Sequence, residues 1–326
     1  MKTTPEQTIS EEFYQLSTPI LESFPKFRPP LNLYYFNEKV NDLQLYVKKG
    51  DRLSKEKQEE LFNLCKKGNI FVARSDFPVY SEHISKQLDL ILQDTNLRES
   101  EVAEILWKGI PENLKLFYVQ PVKLVLNNIL PNLMVIAEYL KKDPHKIVRL
   151  ISRVRPSKEL WVQATNVLTI GLGAYLRSYE EEIDNKTLYS LVIGLSMTYI
   201  GKTKLPIHLL NKKNFTIEEE KQYRQYPLIG AKILHNHGVR QKIALQCIME
   251  HCERLDGSGF PQGLSGSEIS VPGRIGAIAS AFNEILCTYK EVNSDVIKKI
   301  AQQLSQQPEK FDSKLVSGLL TITIRL

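Results

Sequence analysis

Residues 251–261 read HCERLDGSGFP, and a second run, RIGAIAS, occupies residues 274–280. Gly257 and Gly259 in the first stretch permit tight backbone turns, and Pro261 fixes its own φ angle. The first stretch therefore predicts a compact polar loop, and the apolar second run predicts a helix that follows it.

The chain around this loop has an almost continuous helical pattern. From residue 120 to the end, apolar residues recur three and four positions apart, as in helices that pack on a core. Thr216 and Glu219 have the spacing of a capping box, and Gly238 stands where a glycine would end a helix. Residues 120–326 are therefore predicted to form an all-α helical bundle.

The first part of the chain has a different pattern. Residues 1–30 contain prolines scattered among polar residues, which predicts a flexible N-terminal arm. Residues 31–119 predict a small α/β module with a helical linker. Its strands are expected at Leu33 to Phe36, Leu43 to Val47 and Ile70 to Ala73. The predicted fold class is accordingly α+β.

Helix signals fill the rest of this small module. Ser54 is a predicted N-cap for the helix that lies between the second and third strands. A further helix is predicted near Val79 to Leu92, and Asn96 with Glu99 has the spacing of a capping box for the next one.

Composition and charge exclude several classes of protein. The chain has 326 residues with 42% hydrophobic content, and its net charge of +6 is spread along the sequence, which argues against nucleic-acid binding. The apolar stretch near Leu191 to Ile200 is about half the length of a membrane span, and the N-terminus does not resemble a signal peptide. A cytoplasmic protein without a membrane anchor is expected, with its four cysteines as reduced thiols.

The loop and the run after it resemble the signature of the bacterial HD-GYP phosphodiesterases, which hydrolyse cyclic di-GMP at a cluster of iron or manganese ions. The resemblance covers most of the chain, because residues 45–80 are similar to the small module that often precedes these domains. Further segments similar to the catalytic domain are WVQATNV at 161–167, TYIGKTKLP at 198–206, YPLIGAKIL at 226–234 and HCERLDGSGFPQGL from 251. The resemblance implies an HD-type helical bundle.

The resemblance also identifies seven positions at which the family holds its metal ions, and one of the seven keeps the family's residue. These positions carry Gln163, Thr198, Tyr199, Tyr226, His251, Cys252 and Ser280. The family's His-Asp pair is replaced by Thr198 and Tyr199, and His251 is the ligand that survives. Neutral amide and hydroxyl oxygens are weak ligands, and a phenol must lose its proton first, so no metal cofactor is expected. The cleft is expected to be smaller and more apolar than an active site.

Two cations and the signature loop survive the replacements. In the family the lysine at the position of Lys202 lies near the phosphates, and with Arg274 it could hold a phosphodiester without a metal. Structural roles at helix ends are the favoured alternative for both. The loop keeps Asp256, Gly257, Gly259, Phe260 and Pro261. It is predicted either to fold against the bundle or to remain a binding surface.

Two other arrangements of chemistry-bearing residues are weighed against structural roles. His235 and His237, together with His251 and with Cys252 or Asp256, would offer four metal ligands, but histidines before Gly238 also suit a helix C-terminus. Cys252 beside His251 has the residue types of a nucleophile and a base, yet a buried thiol is the favoured interpretation.

The sequence therefore predicts a catalytically inactive HD-GYP-like protein with a regulatory or scaffolding role in cyclic di-GMP signalling. Its expected partner is a protein of that pathway, for example one of the GGDEF type. Two alternatives stay open: an active metal-dependent cyclic di-GMP phosphodiesterase, and a metal-free sensor that binds cyclic di-GMP through Lys202 and Arg274.

Overall fold

The computed structural model describes residues 12–37, 40, 42–94, 96–179, 184–210, 212 and 214–326. The chain divides into two compact units, Met1–Gly109 and Ile110–Leu326. The first contains a four-stranded sheet with short helices, and the second is helical, so the predicted α+β class is confirmed. The division falls inside a long helix, whereas the sequence pattern placed the change at residue 120, just after this helix ends.

The sheet of the first unit is antiparallel. Its strands are β1 (Phe13–Gln15), β2 (Leu33–Asn37), β3 (Asp42–Val47) and β4 (Ile70–Ala73). Their order across the sheet is β1-β4-β2-β3, with Phe13 opposite Ala73 and Tyr34 opposite both Phe71 and Leu45. Strands β2, β3 and β4 lie where the sequence pattern predicted strands.

Strand β1 and the helix after it correct the prediction of a flexible arm. Helix α1 (Thr18–Ser23) follows β1, and this segment buries Tyr14, Leu16, Ile20 and Phe24. Strand β1 obtains its hydrogen bonds from β4, which lies far along the sequence, so no local pattern announces it. Residues 1–11 of the predicted arm lie outside the described residues.

The first unit's helices follow the predictions in part. Ser54 caps α2 (Lys55–Lys66) by accepting a hydrogen bond from the Lys57 amide, as expected. The predicted helix near Val79 to Leu92 is instead α3 (Phe77–Ile84) followed by a separate 3-10 helix, Leu88–Leu92. Asn96 does not cap α4 (Glu99–Val119), because this helix begins three residues after Asn96, whose side-chain amide donates to the Gln15 carbonyl.

The second unit contains the end of α4 and a bundle of further helices. Those that frame the site are α7 (Leu160–Ser178), α8 (Asn185–Ser196), α11 (Tyr226–Asn236), α12 (Lys242–Glu250) and α13 (Val271–Leu286). The remaining helices are α5 (Lys123–Lys142), α6 (Ile147–Ile151), α9 (Ile207–Leu210), α10 (Ile217–Tyr223), α14 (Ser294–Ser305) and α15 (Ser313–Thr323).

Helix α7 forms the centre of the bundle. Almost every residue from its second turn to its end is buried, because α6, α8, α13 and α15 pack around it. Two helix boundaries predicted from the sequence are present in the structure. Thr216 and Glu219 form a capping box before α10, and Gly238 adopts a φ of 99° after α11. Within the described ranges, no helix has the length and apolar character needed to cross a bilayer.

Candidate functional site

The positions identified from the signature lie at the ends of helices that meet in the core. Tyr199 follows α8, Tyr226 begins α11, and His251 and Cys252 follow α12. The ring centroids of Tyr199 and His251 are 5.9 Å apart, and those of Tyr226 and His251 are 5.3 Å apart. We call these four residues the tyrosine–histidine cluster. All are buried, so their side chains fill this part of the core.

A chain of hydrogen bonds connects three members of the cluster. His251 Nδ1 lies 2.7 Å from the Ile248 carbonyl oxygen, and this oxygen can accept only, so Nδ1 carries the proton and donates. His251 Nε2 is then an acceptor for the Tyr226 hydroxyl at 2.8 Å. Because the Tyr226 proton is used, Cys252 must donate its thiol proton to the Tyr226 oxygen at 2.9 Å. The chain is fully satisfied with every group neutral.

Burial keeps this chain neutral. Desolvation lowers the pKa of His251 to about 3, and the charges of Lys202 and Arg254 add to the effect. Desolvation also raises the pKa of Cys252 to about 12 and the pKa of Tyr226 well above its usual value. At neutral pH the three side chains of this chain are therefore an imidazole, a phenol and a thiol, without an anion.

Tyr199 belongs to a second set of polar contacts on the other side of the cluster. Its hydroxyl accepts a hydrogen bond of 3.3 Å from Asn283, whose side-chain oxygen accepts one of 2.8 Å from Asn166. Burial raises the pKa of Tyr199 well above its usual value, although Asn283 and Ser280 oppose the rise. The buried Ser280 hydroxyl makes no hydrogen bond within the described residues, but it is near enough to Tyr199 to affect the pKa of its phenol.

The two remaining signature positions bond to nearby backbone instead of to the cluster. Gln163 donates to the Ser157 carbonyl at 2.9 Å, and the buried Thr198 hydroxyl donates to the Leu195 carbonyl at 3.0 Å. The seven positions therefore divide into five that come together and two that serve local structure.

The residues of the cluster do not fit a catalytic iron or manganese ion. Both nitrogens of His251 already have hydrogen-bond partners, and phenol or thiol ligands would each have to lose a proton in a buried environment. Across the described part of the chain, no three His, Cys, Asp or Glu side chains form a group able to hold a metal. The alternative set around His235 and His237 is not assembled either, since His237 Nδ1 bonds to the Ile233 carbonyl.

Lys202 and Arg274 both have partners within the protein. The Lys202 ammonium lies over the rings of Tyr199 and Tyr226. Arg274 forms a salt bridge of 3.0 Å with Asp312 and donates to the carbonyls of Gly266 and Ile269. Arg274 therefore connects the end of the loop to the start of α15. The role of the two cations in phosphate binding stays a prediction.

Backbone atoms approach each other closely where the short 3-10 helix Ile200–Lys204 meets α11. A Cβ atom on Gly201 would overlap the Tyr226 carbonyl oxygen and lie 2.7 Å from the Gly230 nitrogen. Glycine at position 201 therefore allows Tyr199 and Tyr226 to reach the same point in the core.

Two buried carboxylates hold the signature loop, and the sequence did not single them out. Glu253 accepts hydrogen bonds from the backbone amides of Gln262 at 2.8 Å and Leu264 at 3.1 Å. Glu250 accepts from the Ser270 amide and hydroxyl at 2.8 and 2.6 Å. Nothing in a linear pattern distinguishes these acids from the solvated glutamates elsewhere in the chain.

We expect Glu253→Gln to destabilise the protein by about 1–3 kcal/mol, because the amide can accept from one loop N–H but must turn its own donor toward the other. Amide hydrogen exchange at Gln262 and Leu264 should accelerate as the loop loosens. The control is Glu309→Gln, at an exposed position. Equal stability of the two variants would contradict this role of Glu253.

Parts of the chain are similar in sequence to known proteins. Residues 162–315 match the model of the family described as HD domain, and the segment includes the whole cluster and the loop. PdeB, a cyclic di-GMP phosphodiesterase of Borreliella burgdorferi, is 29% identical over 160 residues, which are 48% of this chain and 40% of PdeB. RpfG, a cyclic di-GMP phosphodiesterase response regulator of Xanthomonas campestris, is 32% identical over 125 residues, 37% of this chain and 33% of RpfG.

A third relative is a 3′3′-cGAMP-specific phosphodiesterase of Vibrio cholerae, 32% identical over 126 residues, 37% of this chain and 24% of the relative. The matches to these three relatives thus span 40% or less of their lengths. The solved structure of an HDG"Y"P protein from Bdellovibrio bacteriovorus superposes with a TM-score of 0.61 at 16% identity, covering 95% of this chain and 99% of that one. At this identity the likeness concerns the fold.

Proposed function

We propose that this protein is an HD-GYP-type protein that has lost phosphodiesterase activity and acts as a regulatory or scaffolding component of cyclic di-GMP signalling. The HD domain match and the names of the relatives support the signalling context. The chemistry of the tyrosine–histidine cluster supports the loss of activity.

The observation that carries this proposal is the state of His251. It is the single family ligand left at the seven positions, and both of its nitrogens are used in hydrogen bonds inside the core. A hydrolytic metal site needs roughly three protein ligands for each ion and an open position for water. The cluster has one imidazole, both nitrogens of which are already hydrogen-bonded, and no ionised ligand. It therefore provides neither three ligands nor an open position for water.

Metal analysis combined with an activity assay tests the loss of hydrolysis. The protein is purified after expression with added iron or manganese, its metal content is measured, and it is incubated with cyclic di-GMP and with 3′3′-cGAMP. We expect metal far below one ion per chain and no linear dinucleotide product. Stoichiometric metal together with product formation that His251→Ala abolishes, and His83→Ala does not, would overturn the proposal.

The signature loop is the proposed surface for a protein partner. Hydrogen bonds from three side chains hold the backbone of the loop and of the segment after it: Glu250, Glu253 and Arg274. The exposed residues of the loop are Asp256, Ser258 and Gln262. A loop that is internally fixed presents its exposed groups without a large loss of conformational entropy on binding. The proposed partner class is a GGDEF-type protein of the same organism.

A matched pair of substitutions tests this surface. Gln262→Arg alters the exposed tip of the loop, and Gln302→Arg makes the same change at an exposed position on α14. We expect the first to weaken binding to GGDEF-type proteins at least tenfold in a pairwise affinity measurement, and the second to leave binding unchanged. Equal binding by both variants would contradict a role for the loop.

Isothermal titration with cyclic di-GMP addresses the metal-free sensor. Because Lys202 and Arg274 have internal partners, a phosphodiester would have to replace those contacts, and we expect no heat of binding at high micromolar ligand. Saturable binding that Arg274→Met weakens would favour the sensor over the scaffold.

A further inference from the structure

Lys202 occupies an unusual position for a charged side chain. Its Nζ atom lies 4.3 Å from the ring centroid of Tyr199, 4.8 Å from that of Tyr226 and 5.6 Å from that of Tyr223. Aromatic faces carry partial negative charge and attract a cation at these distances. Three ring faces therefore surround one ammonium group.

The charge of Lys202 acts on the centre of the cluster. After burial itself, Lys202 is among the causes that lower the pKa of His251, and it also opposes the rise in the pKa of Cys252. The direction of the side chain is given by its contacts, because its ammonium lies over the rings of the buried Tyr199 and Tyr226.

We propose that the Lys202 ammonium is the resident cation of this cleft and serves as the positive centre around which the ring faces of Tyr199 and Tyr226 are packed. Where the family's ligands would surround a metal ion, this chain surrounds its own lysine. The proposal concerns the folded core and holds whether or not the protein binds the partner proposed above.

The residue types at the replaced positions support this exchange. Tyrosine is a poor ligand for iron or manganese while it keeps its proton, but its neutral ring face binds an ammonium group well. Tyr199 and Tyr226 are buried and Lys202 is half-buried, so each ring supplies such a face at the edge of the core. Two substitutions that remove metal ligands therefore create a site for a different cation.

Charge removal at position 202 tests the proposal. Lys202→Met keeps an apolar stem of similar length and removes the charge, whereas Lys202→Arg keeps a cation. We expect the methionine variant to raise the unfolding equilibrium constant about thirtyfold, which corresponds to about 2 kcal/mol, and the arginine variant to recover part of this loss. Lys204→Met is the control, because Lys204 is an exposed lysine of the same 3-10 helix.

A spectroscopic measurement on the unmodified protein keeps the proposal testable if the methionine variant does not fold. In protein labelled with 13C at the lysine ε carbons, ring currents should shift the Lys202 methylene signal upfield, and its absence from Lys202→Arg distinguishes it from other lysines over rings, such as Lys314 over Tyr179. Lack of such a signal would overturn the proposal. So would a Lys202→Met variant as stable as Lys204→Met, which would leave the lysine stem with a packing role alone.

Stoichiometric metal in the purified protein would count against the loss of hydrolysis proposed above. A normal Lys202 signal would count against the lysine-centred cleft. The two failures are therefore distinguishable.

Discussion

Gly201→Ala is expected to destabilise the protein by about 3 kcal/mol or more. The added methyl group would overlap the carbonyl oxygen of Tyr226 and press against the nitrogen of Gly230, and both are backbone atoms that no rotamer change can move. The 3-10 helix and α11 would have to separate, which would also break the contact of Tyr199 with Tyr226. Chemical denaturation of the purified variant measures the effect.

Gly230→Ala is the matched control at the same contact. Its Cβ would lie 3.2 Å from the Ile248 side chain and 3.3 Å from the Gly201 nitrogen, distances that small adjustments can accommodate. Alanine also gains up to about 1 kcal/mol of helix propensity over glycine, so the net change should be small. If both variants unfolded at the same denaturant concentration, the close packing described at Gly201 would be wrong.

His251 is expected to make the protein acid-sensitive. Its pKa is about 3 in the folded protein and 6.5 in an exposed imidazole, so between these values the unfolded chain binds a proton that the folded chain does not. Stability from this group is complete above about pH 6.5, falls as the pH drops, and is fully lost near pH 3. At about 1.36 kcal/mol for each pKa unit, the total loss is on the order of 5 kcal/mol.

The difference between the wild type and His251→Gln isolates this contribution. Glutamine does not titrate, and its side-chain oxygen can accept the hydrogen bond from Tyr226. Between pH 7 and 4.5 the wild type should lose about 2–3 kcal/mol more stability than the variant. His235→Gln, at an exposed position, should leave the wild-type pH dependence intact. Parallel pH profiles for wild type and His251→Gln would disprove the buried, neutral state of His251.

The sequence predicted the architecture well where the signal is local. Strands β2, β3 and β4, the cap at Ser54 and the helix end at Gly238 all depend on residues within a few positions of one another. The signature also identified Tyr199, Tyr226, His251, Cys252 and Ser280 as a set, and the structure brings these residues together.

The features that were missed depend on partners far along the chain. Strand β1 is completed by β4, and the side chain of Asn96 donates to the distant carbonyl of Gln15 instead of capping a helix. The sequence identified Lys202 as a cation near the site, but the direction of its side chain depends on the rings of Tyr199 and Tyr226, which the fold places around it. Whether a glutamate such as Glu253 is a buried anchor depends on backbone amides that the fold places beside it.

The four free thiols are almost entirely protonated at neutral pH. Burial raises the pKa of Cys65 to about 11 and that of Cys252 to about 12, and it also raises the pKa values of Cys247 and Cys287. Peroxides and alkylating reagents attack the thiolate, so such a population reacts slowly. The fold is therefore expected to be insensitive to changes in the redox state of its surroundings.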